Sequence, residues 1–335
     1  MTAREPLVAT RDLGVHFRLS RSTVLKAVDG VSLDVLPGET FGIIGESGSG
    51  KTTLGRALVC LEKPSSGKVL HRGSDPYALS PGALRRHRRD YQVVFQDPNA
   101  ALDPRMTILR SVREPLDVAG TSTRAERDDV AMQAMERVGL SPEFATRYPH
   151  ELSGGQKQRV CIARVLTLRP SVIVCDEAVA ALDVSIQADI LNLLADLQRE
   201  FGLTYIFITH NLGVVAHISD RVAVMYLGRL VEMGKTEAVL ARPLHPYTDA
   251  LLSAEPVALP SHMRSAQRVV LSGELPSPIS PPSGCRFRTR CRFAQDLCAS
   301  REPEWREVEP SHWAACHFAG TPTVSTVHGL PEAVA

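Results

Sequence analysis

Gly45-Glu46-Ser47-Gly48-Ser49-Gly50-Lys51-Thr52 fits the pattern G-x-x-x-x-G-K-[ST], and the residues around it have the layout a phosphate-binding loop needs. Before it, Thr40-Phe41-Gly42-Ile43-Ile44 reads as a short buried strand; after it, Leu54-Gly55-Arg56-Ala57-Leu58 opens a helix. Glycines let the backbone turn tightly enough for its N–H groups to face phosphate oxygens, where a Cβ would obstruct them. The start of the following helix adds the positive end of its dipole. In this reading residues Gly45 to Thr53 contact nucleotide phosphates, Lys51 reaches the β- and γ-phosphates, and the Thr52 hydroxyl ligates Mg²⁺. A Gly/Ser-rich loop can match the pattern by chance, but the strand before and the helix after argue against that.

A second glycine motif narrows the class. Leu152-Ser153-Gly154-Gly155-Gln156 precedes a helical run from Lys157 to Thr167 with apolar Val160, Ile162, Ala163 and Leu166. Ser153 stands where an N-cap belongs, and the two glycines let backbone N–H groups approach an anion. This second site has no lysine of its own, which suits closure over a nucleotide held by another subunit. Further on, the apolar run Val172-Ile173-Val174-Cys175 ends in Asp176-Glu177. A buried parallel strand presents its C-terminal residues to the ligand crevice. Asp176 is placed to hold Mg²⁺, and Glu177 to polarise an attacking water as general base. His210 follows a second apolar strand, Thr204 to Thr209, where it can touch a γ-phosphate and orient the water. Gln96 closes Tyr91-Gln92-Val93-Val94-Phe95 and can sense Mg²⁺ or the water through its amide. Asp183 starts a helix carrying Ile190, Leu194, Leu197 and Phe201 on one face, as a cap, as a contact across a dimer, or both.

P-loop, Gln96, Leu-Ser-Gly-Gly-Gln, apolar strand with Asp176-Glu177, Asp183 and His210 occur in one order, and in that order the chain resembles the nucleotide-binding subunits of ABC transporters over about residues 7 to 250. The resemblance implies an α/β fold: a P-loop ABC ATPase with a RecA-like core, an antiparallel β subdomain, a helical subdomain at about 97–165 and a small Cys-rich C-terminal region. It also implies a head-to-tail dimer whose sites combine the P-loop of one subunit with Ser153, Gly154, Gly155 and Gln156 of the other. Within that class, Val94-Phe95-Gln96-Asp97-Pro98, Ala101 to Met106, Arg147 to Glu151, Val184 to Gln187 and Leu244 to Thr248 resemble the dipeptide/oligopeptide and nickel importers. With the Cys-rich tail the resemblance reaches about residue 319, and the chain is most similar to the second of two non-identical ATPase subunits. Two positions depart from the pattern. Ala178 stands where the family usually has Pro, and Asn211 where Asp commonly follows the His, a change expected to weaken a local contact. Neither removes a reacting group.

Composition limits the alternatives. One P-loop and one signature make a single cassette, whereas the translation-factor relatives carry two. Only about 100 residues separate the two motifs, without the heptads or zinc modules of DNA-repair relatives. The formal net charge of +1 implies no large basic surface for nucleic acid. Arg85-Arg86-His87-Arg88-Arg89 reads as a solvated helical face. No stretch approaches the ~18–20 apolar residues that span a bilayer, and Met1 to Pro6 has no apolar signal core behind it. The expectation is a protein at the cytoplasmic face of the cell membrane, attached through partners. Those partners are a second ATPase subunit, two transmembrane permease subunits and an extracytoplasmic substrate-binding protein. A non-transport ATPase acting on nucleic acid or ribosomes is the alternative of a different class, and a catalytically dead structural partner is opposed by Lys51, Asp176, Glu177 and His210. Short peptides are the expected substrate, with nickel or another small solute as the alternative.

Along the chain, residues 1–255 form the nucleotide-binding domain, 256–284 a Pro-rich linker, 285–319 the Cys-rich region and 320–335 a frayed tail. Alternation at Val31, Leu33 and Val35, with residues 7–19, predicts a small antiparallel sheet beside the nucleotide. Phe17 in it either stacks on the adenine, as the family's aromatic loop does, or fills the sheet core. Helices are expected at 107–119, 124–139 and 143–148, and two strands around Gly228. Cys60, Cys161 and Cys175 lie in apolar segments and read as core. Cys285, Cys291, Cys298 and Cys316 are spaced C-x5-C-x6-C-x17-C. Cytosolic disulfides are disfavoured, so a metal or cluster site is the favoured reading. Thiolates suit zinc and iron–sulfur alike, but structural zinc typically uses closer pairs. The subfamily resemblance implies a [4Fe–4S] cluster, with Zn²⁺, helped by His312 or His317, as the alternative.

Overall fold

The computed structural model describes residues 5–120, 122–254 and 276–321. Most of the 256–284 linker and nearly all of the 320–335 tail therefore lie outside the described residues.

The chain opens with two long antiparallel strands, β1 (Val8–Arg18) and β2 (Val24–Val35), then enters the apolar strand β3 (Thr40–Ile44). Helix α1 (Lys51–Leu58) follows the P-loop, and β4 (Ser66–His71) returns to pair with β1. The resulting three-stranded sheet has the order β2-β1-β4. Leu54 and Leu58 of α1 pack between it and the central sheet, in one core cluster with Val8, Val15, Val28, Phe41 and Ile208.

A second layer begins with α2 (Pro81–His87) and β5 (Tyr91–Val94), and the helical region follows. It comprises α3 (Pro98–Ala101), α4 (Ile108–Ala119), α5 (Arg124–Arg137) and α6 (Gly154–Leu166). Thr123 and Glu126 form a reciprocal capping box at the start of α5. The expected helix at 143–148 is instead a short 3-10 turn over Pro142–Thr146. The Arg147 carbonyl there accepts from the Ile108 N–H, drawing the chain toward the start of α4. Ile108, Val112, Met135, Val160 and Ile162 share a core with Ile190, Leu194 and Leu197 of α7 (Val184–Phe201), which follows β6 (Val172–Asp176). Phe201 does not join that face. It lies past the packed turns of the helix, 39% exposed, with the Arg137 guanidinium 4.7 Å from its ring.

The rest of the sheet is β7 (Thr204–Ile208), β8 (Arg221–Tyr226) and β9 (Arg229–Lys235), with α8 (Leu212–Ile218) after β7. Helices α9 (Thr236–Ala241) and α10 (Pro246–Ala254) follow β9. In the Cys-rich region, α11 (Asp296–Ser300) precedes β10 (Arg306–Glu309) and β11 (His312–Ala314). The eight-stranded sheet runs β10-β11-β9-β8-β3-β7-β6-β5. Its β8-β3-β7-β6-β5 portion is parallel, and the β9, β11 and β10 pairings are antiparallel. The last two strands of the Cys-rich region thus continue the sheet of the nucleotide-binding core.

Register sets the site. Ile43 and Asp176 both stand opposite Ile208, and Val94 opposite Cys175. The residues just past these strand ends, Gly45, Gln96, Glu177 and His210, therefore emerge at one edge of the sheet, where an open parallel sheet binds its ligand.

Candidate functional site

The P-loop is held by its glycines and by its own lysine. Gly45 has φ +152° and Gly50 φ +103°; a Cβ on either would come within 2.1 Å and 2.0 Å of the carbonyl oxygens of Met225 and Ala27. Only glycine meets both demands. Gly50 caps α1, so the helix starts at Lys51, three residues earlier than the apolar pattern indicated. Lys51 Nζ donates to the carbonyls of Gly45 at 2.8 Å and Glu46 at 2.9 Å. Burial pushes the Lys51 ammonium below its ordinary pKa, and the carboxylates of Glu177, Asp176 and Glu46 partly offset this. Three acidic groups therefore face the ammonium from two different parts of the chain.

At the end of β6, Asp176 accepts from the Thr52 hydroxyl at 3.0 Å. Burial raises the Asp176 pKa, against the lowering effect of that hydrogen bond. Glu177 sits in the left-handed region, φ +49°, with its N–H on the Ile208 carbonyl. Both of its carboxylate oxygens are engaged: Gln96 Nε2 donates to Oε2 at 2.7 Å, and His210 Nδ1 lies 3.2 Å from Oε1. Gln96, Glu177 and His210 come from three separate strand ends, so the sheet itself assembles this triad. Asn211 is not a weak substitute: its Oδ1 caps α8 by accepting from the Val214 N–H at 3.1 Å, as an Asp would.

The signature stands apart from this cluster. Ser153 Oγ accepts from the Gln156 N–H and Gln156 Oε1 from the Ser153 N–H, a capping box at the start of α6. Among the described residues no hydrogen bond joins Ser153, Gly154, Gly155 or Gln156 to the P-loop. Asp183 occupies the N-cap position of α7 but makes no capping hydrogen bond, which frees its carboxylate for other contacts. Phe17 is half-buried, opposite Leu25, and packs on the core of the β1–β2 sheet. A groove of about 780 Å³ opens beside Gln96 and is lined by Arg85, Arg88, Arg89, Phe95, Glu114 and Val118. Three arginines of the basic run thus line a groove rather than a plain solvated face.

Cys60, Cys161 and Cys175 are buried in the core. Cys285, Cys291, Cys298 and Cys316 line one small cavity with Phe287, Phe293, Phe318 and His317. Burial, with a smaller contribution from the neighbouring thiols, raises the thiol pKa of Cys285 to about 12 and of Cys291 to about 11. Four clustered thiols are a donor set suited to a soft metal centre. The cavity itself is about 10 Å³, and among the described residues no three His, Cys, Asp or Glu side chains are gathered at metal-ligating spacing. His312 belongs elsewhere: it is buried, with Nε2 2.8 Å from Glu232 Oε1. His317 Nε2 faces the Arg301 carbonyl at 3.0 Å.

A P-loop lysine, a strand-end Asp-Glu pair and a Gln–Glu–His triad on a parallel sheet define a P-loop ATPase. Comparison with known proteins agrees. The ABC transporter family matches residues 28–180, and the family described as the oligopeptide/dipeptide transporter C-terminal region matches residues 231–298. A putative peptide import ATP-binding protein of Brucella ovis is 52% identical over 311 residues, covering 93% of this chain and 97% of that one. The oligopeptide transport ATP-binding protein AppF of Bacillus subtilis is 49% identical over 327 residues, covering 95% and 99%. A dimeric ATP-binding cassette in a post-hydrolysis state with ADP and Pi aligns with a TM-score of 0.62 and 32% identity, over 68% of this chain and 98% of that chain. The cbiO1 protein from Clostridium perfringens, part of the cbiONQ transporter complex, aligns at 0.63 and 31%, over 71% and 92%. The chain belongs to the ATP-binding subunits of oligopeptide/dipeptide ABC transporters, and its chemistry is ATP hydrolysis.

Proposed function

We propose that this chain couples MgATP hydrolysis to the uptake of short peptides through two separate permease subunits, as one of two non-identical ATPases at the cytoplasmic face of the membrane. An extracytoplasmic binding protein delivers the substrate. The observation that carries the reading is the Gln96–Glu177–His210 triad beside Lys51, on a chain that matches the ABC transporter family over residues 28–180 and the oligopeptide/dipeptide transporter C-terminal region over residues 231–298. Among the described residues no helix is long and apolar enough to cross a membrane; in this reading the transport path belongs to the permease subunits.

In this mechanism Lys51 and the backbone N–H groups of residues 45–53 hold the phosphates. The Thr52 hydroxyl, Asp176 and Gln96 supply the oxygen ligands that a hard divalent cation prefers. Mg²⁺, when bound, neutralises charge on the β- and γ-phosphates. Glu177 takes the proton of the attacking water, with Gln96 and His210 fixing both of its oxygens. Ser153, Gly154, Gly155 and Gln156 complete the partner's site, which accounts for their separation from this chain's own P-loop, and Asp183 contacts the partner. Phe17 serves the sheet core first and offers the adenine only its exposed edge. The groove beside Gln96 receives a cytoplasmic helix of the permease, and its arginines select an acidic or carbonyl-rich helix end. The assay is uptake of labelled di- to pentapeptides, with nickel alongside, into proteoliposomes carrying the full transporter. ATP-dependent peptide accumulation supports the reading, and nickel accumulation alone overturns the substrate.

The four tail cysteines hold a [4Fe–4S] cluster in this reading, supported by their convergence on one cavity. The small size of that cavity favours Zn²⁺ as the second reading. Protein purified without oxygen should carry about four irons per chain and absorb in the visible blue. One zinc and no iron would replace the cluster with the smaller ion.

A further inference from the structure

Arg290 lies in the Cys-rich region, yet its side chain reaches the P-loop. Its guanidinium binds the Glu46 carboxylate through two parallel hydrogen bonds, Nη1 to Oε2 at 2.8 Å and Nη2 to Oε1 at 3.1 Å. The Arg290 side chain is only 8% exposed and that of Glu46 25%. Glu46 is the second residue of the loop, and every polar group it has is engaged. Its carbonyl accepts from Lys51 Nζ, and its N–H donates to the Tyr247 hydroxyl at 2.8 Å. Phe287, fully buried against Tyr226 and Tyr247, anchors the turn that carries Arg290. That turn is closed by hydrogen bonds from the Arg288 N–H to the Cys285 carbonyl and from the Arg290 N–H to the Phe287 carbonyl.

A second arm runs parallel to the first. Arg286 donates to the Leu227 carbonyl and to Asp29. The next residue, Gly228, donates its N–H to the Ser49 carbonyl inside the P-loop at 2.9 Å. The Cys-rich region therefore holds the loop near both of its ends.

The electrostatics give Arg290 a purpose beyond docking. Glu46 places a carboxylate in the loop that must receive polyanionic phosphates. Unpaired, it would repel them and compete for Lys51. A bidentate guanidinium neutralises it in a fixed geometry, and such a pair is strong where it is shielded from water. We infer that Arg290 is a positioning residue for nucleotide binding: by pairing with Glu46 it sets the P-loop for phosphate and removes a repulsive charge.

The test measures ATP affinity and steady-state hydrolysis in the assembled transporter, with the partner subunit's own ATP site inactivated. Arg290→Ala should raise the Kd and KM for ATP about five- to twenty-fold, with turnover at saturating ATP changed less than about threefold. Arg290→Ala combined with Glu46→Gln should recover most of that affinity, because no unpaired carboxylate remains. Arg290→Lys, which keeps the charge and loses the fork, should fall between wild type and Arg290→Ala. An unchanged KM with a smaller active fraction would make Arg290 merely structural and overturn the inference. So would a double variant weaker than Arg290→Ala. Should Arg290→Ala fail to fold, the Arg290→Lys KM decides: a wild-type value overturns the inference, and a raised one supports it.

Discussion

Replacing Glu177 by Gln should leave the site assembled and stop its chemistry. Glu177 accepts from Gln96 on one oxygen and faces His210 on the other, at 2.7 Å and 3.2 Å, with its side chain 19% exposed. A glutamine keeps one carbonyl oxygen for the Gln96 amide and turns its own NH₂ toward His210 Nδ1 in the accepting tautomer. Both contacts survive, so the stability change should stay within about 0.5 kcal/mol. What disappears is the proposed base. General base catalysis is worth about 10²–10⁴-fold, or roughly 3–5 kcal/mol of barrier. A loss confined to turnover, with nucleotide affinity unchanged, is the signature of a group that acts only in the transition state. The measurement is phosphate release from the assembled transporter at saturating MgATP, with the partner's own base substituted so that only this site reports. Thermal melts and nucleotide binding run alongside. Turnover within about threefold of the parent would show that Glu177 is not the base.

Gly154→Asp should fold normally, since a Cβ there meets only Leu182 Cδ2 at 3.5 Å, yet place a carboxylate where the partner's nucleotide is expected. ATP hydrolysis at the site with the partner's P-loop should drop at least about tenfold, a loss that subunit-mixing assays would register. Gly155 is the poorer test, because a Cβ there would stand 2.5 Å from Ile186 Cγ2 within the same chain. Glu232 is fully buried and accepts from the Leu244 and His245 N–H groups at 2.7 Å and 2.9 Å as well as facing His312. Glu232→Ala should therefore cost about 3 kcal/mol or more in urea unfolding and expose residues 276–321 to protease. Burial holds His71 near pKa 4 and His245 near 3, both below 6.5. The unfolded chain binds these protons first, so stability is full above pH 6.5 and falls as the pH drops toward the folded values. Each histidine should contribute a loss of about 2 kcal/mol between pH 7 and pH 5, and His71→Gln should flatten its share of the urea-midpoint profile.

Short-range features of the ATP site were legible because each rests on local chemistry. Gly50 and Lys51 form a turn and a helix start, Ser153 and Gln156 form a cap, and Val172 to Asp176 is a buried strand that ends in acid and is followed by Glu177. Each of those signals spans six residues or fewer, and the order of the motifs carries the class. Element boundaries are less legible. The apolar pattern of α1 begins at Leu54, but the helix starts at Lys51 because an αL glycine, not a hydrophobic residue, caps it. Phe201 has the right spacing for the buried face of α7 and still faces outward, since spacing does not say where the neighbouring core ends. The link from Arg290 to Glu46 spans 244 residues of sequence, and no local pattern marks either residue as the other's partner. Likewise the basic run at 85–89 has the composition of a solvated face; only the packing of β5 and α4 makes a groove of it.

The path of β11 along β9 bears on how copies of this protein behave toward one another. Without β11, the outer strand of the sheet would be β9, whose Leu230, Val231 and Met233 are buried. Its free backbone groups would offer a template for edge-to-edge pairing with another molecule. β11 covers that edge, and the strand left outermost is β10, four residues reading Arg306-Glu307-Val308-Glu309. Three charges on so short a strand make a poor template. A chain cut before residue 276 could retain the whole Gln96–Glu177–His210 cluster and still be lost to self-association, so insolubility of such a truncation would reflect an unprotected sheet edge.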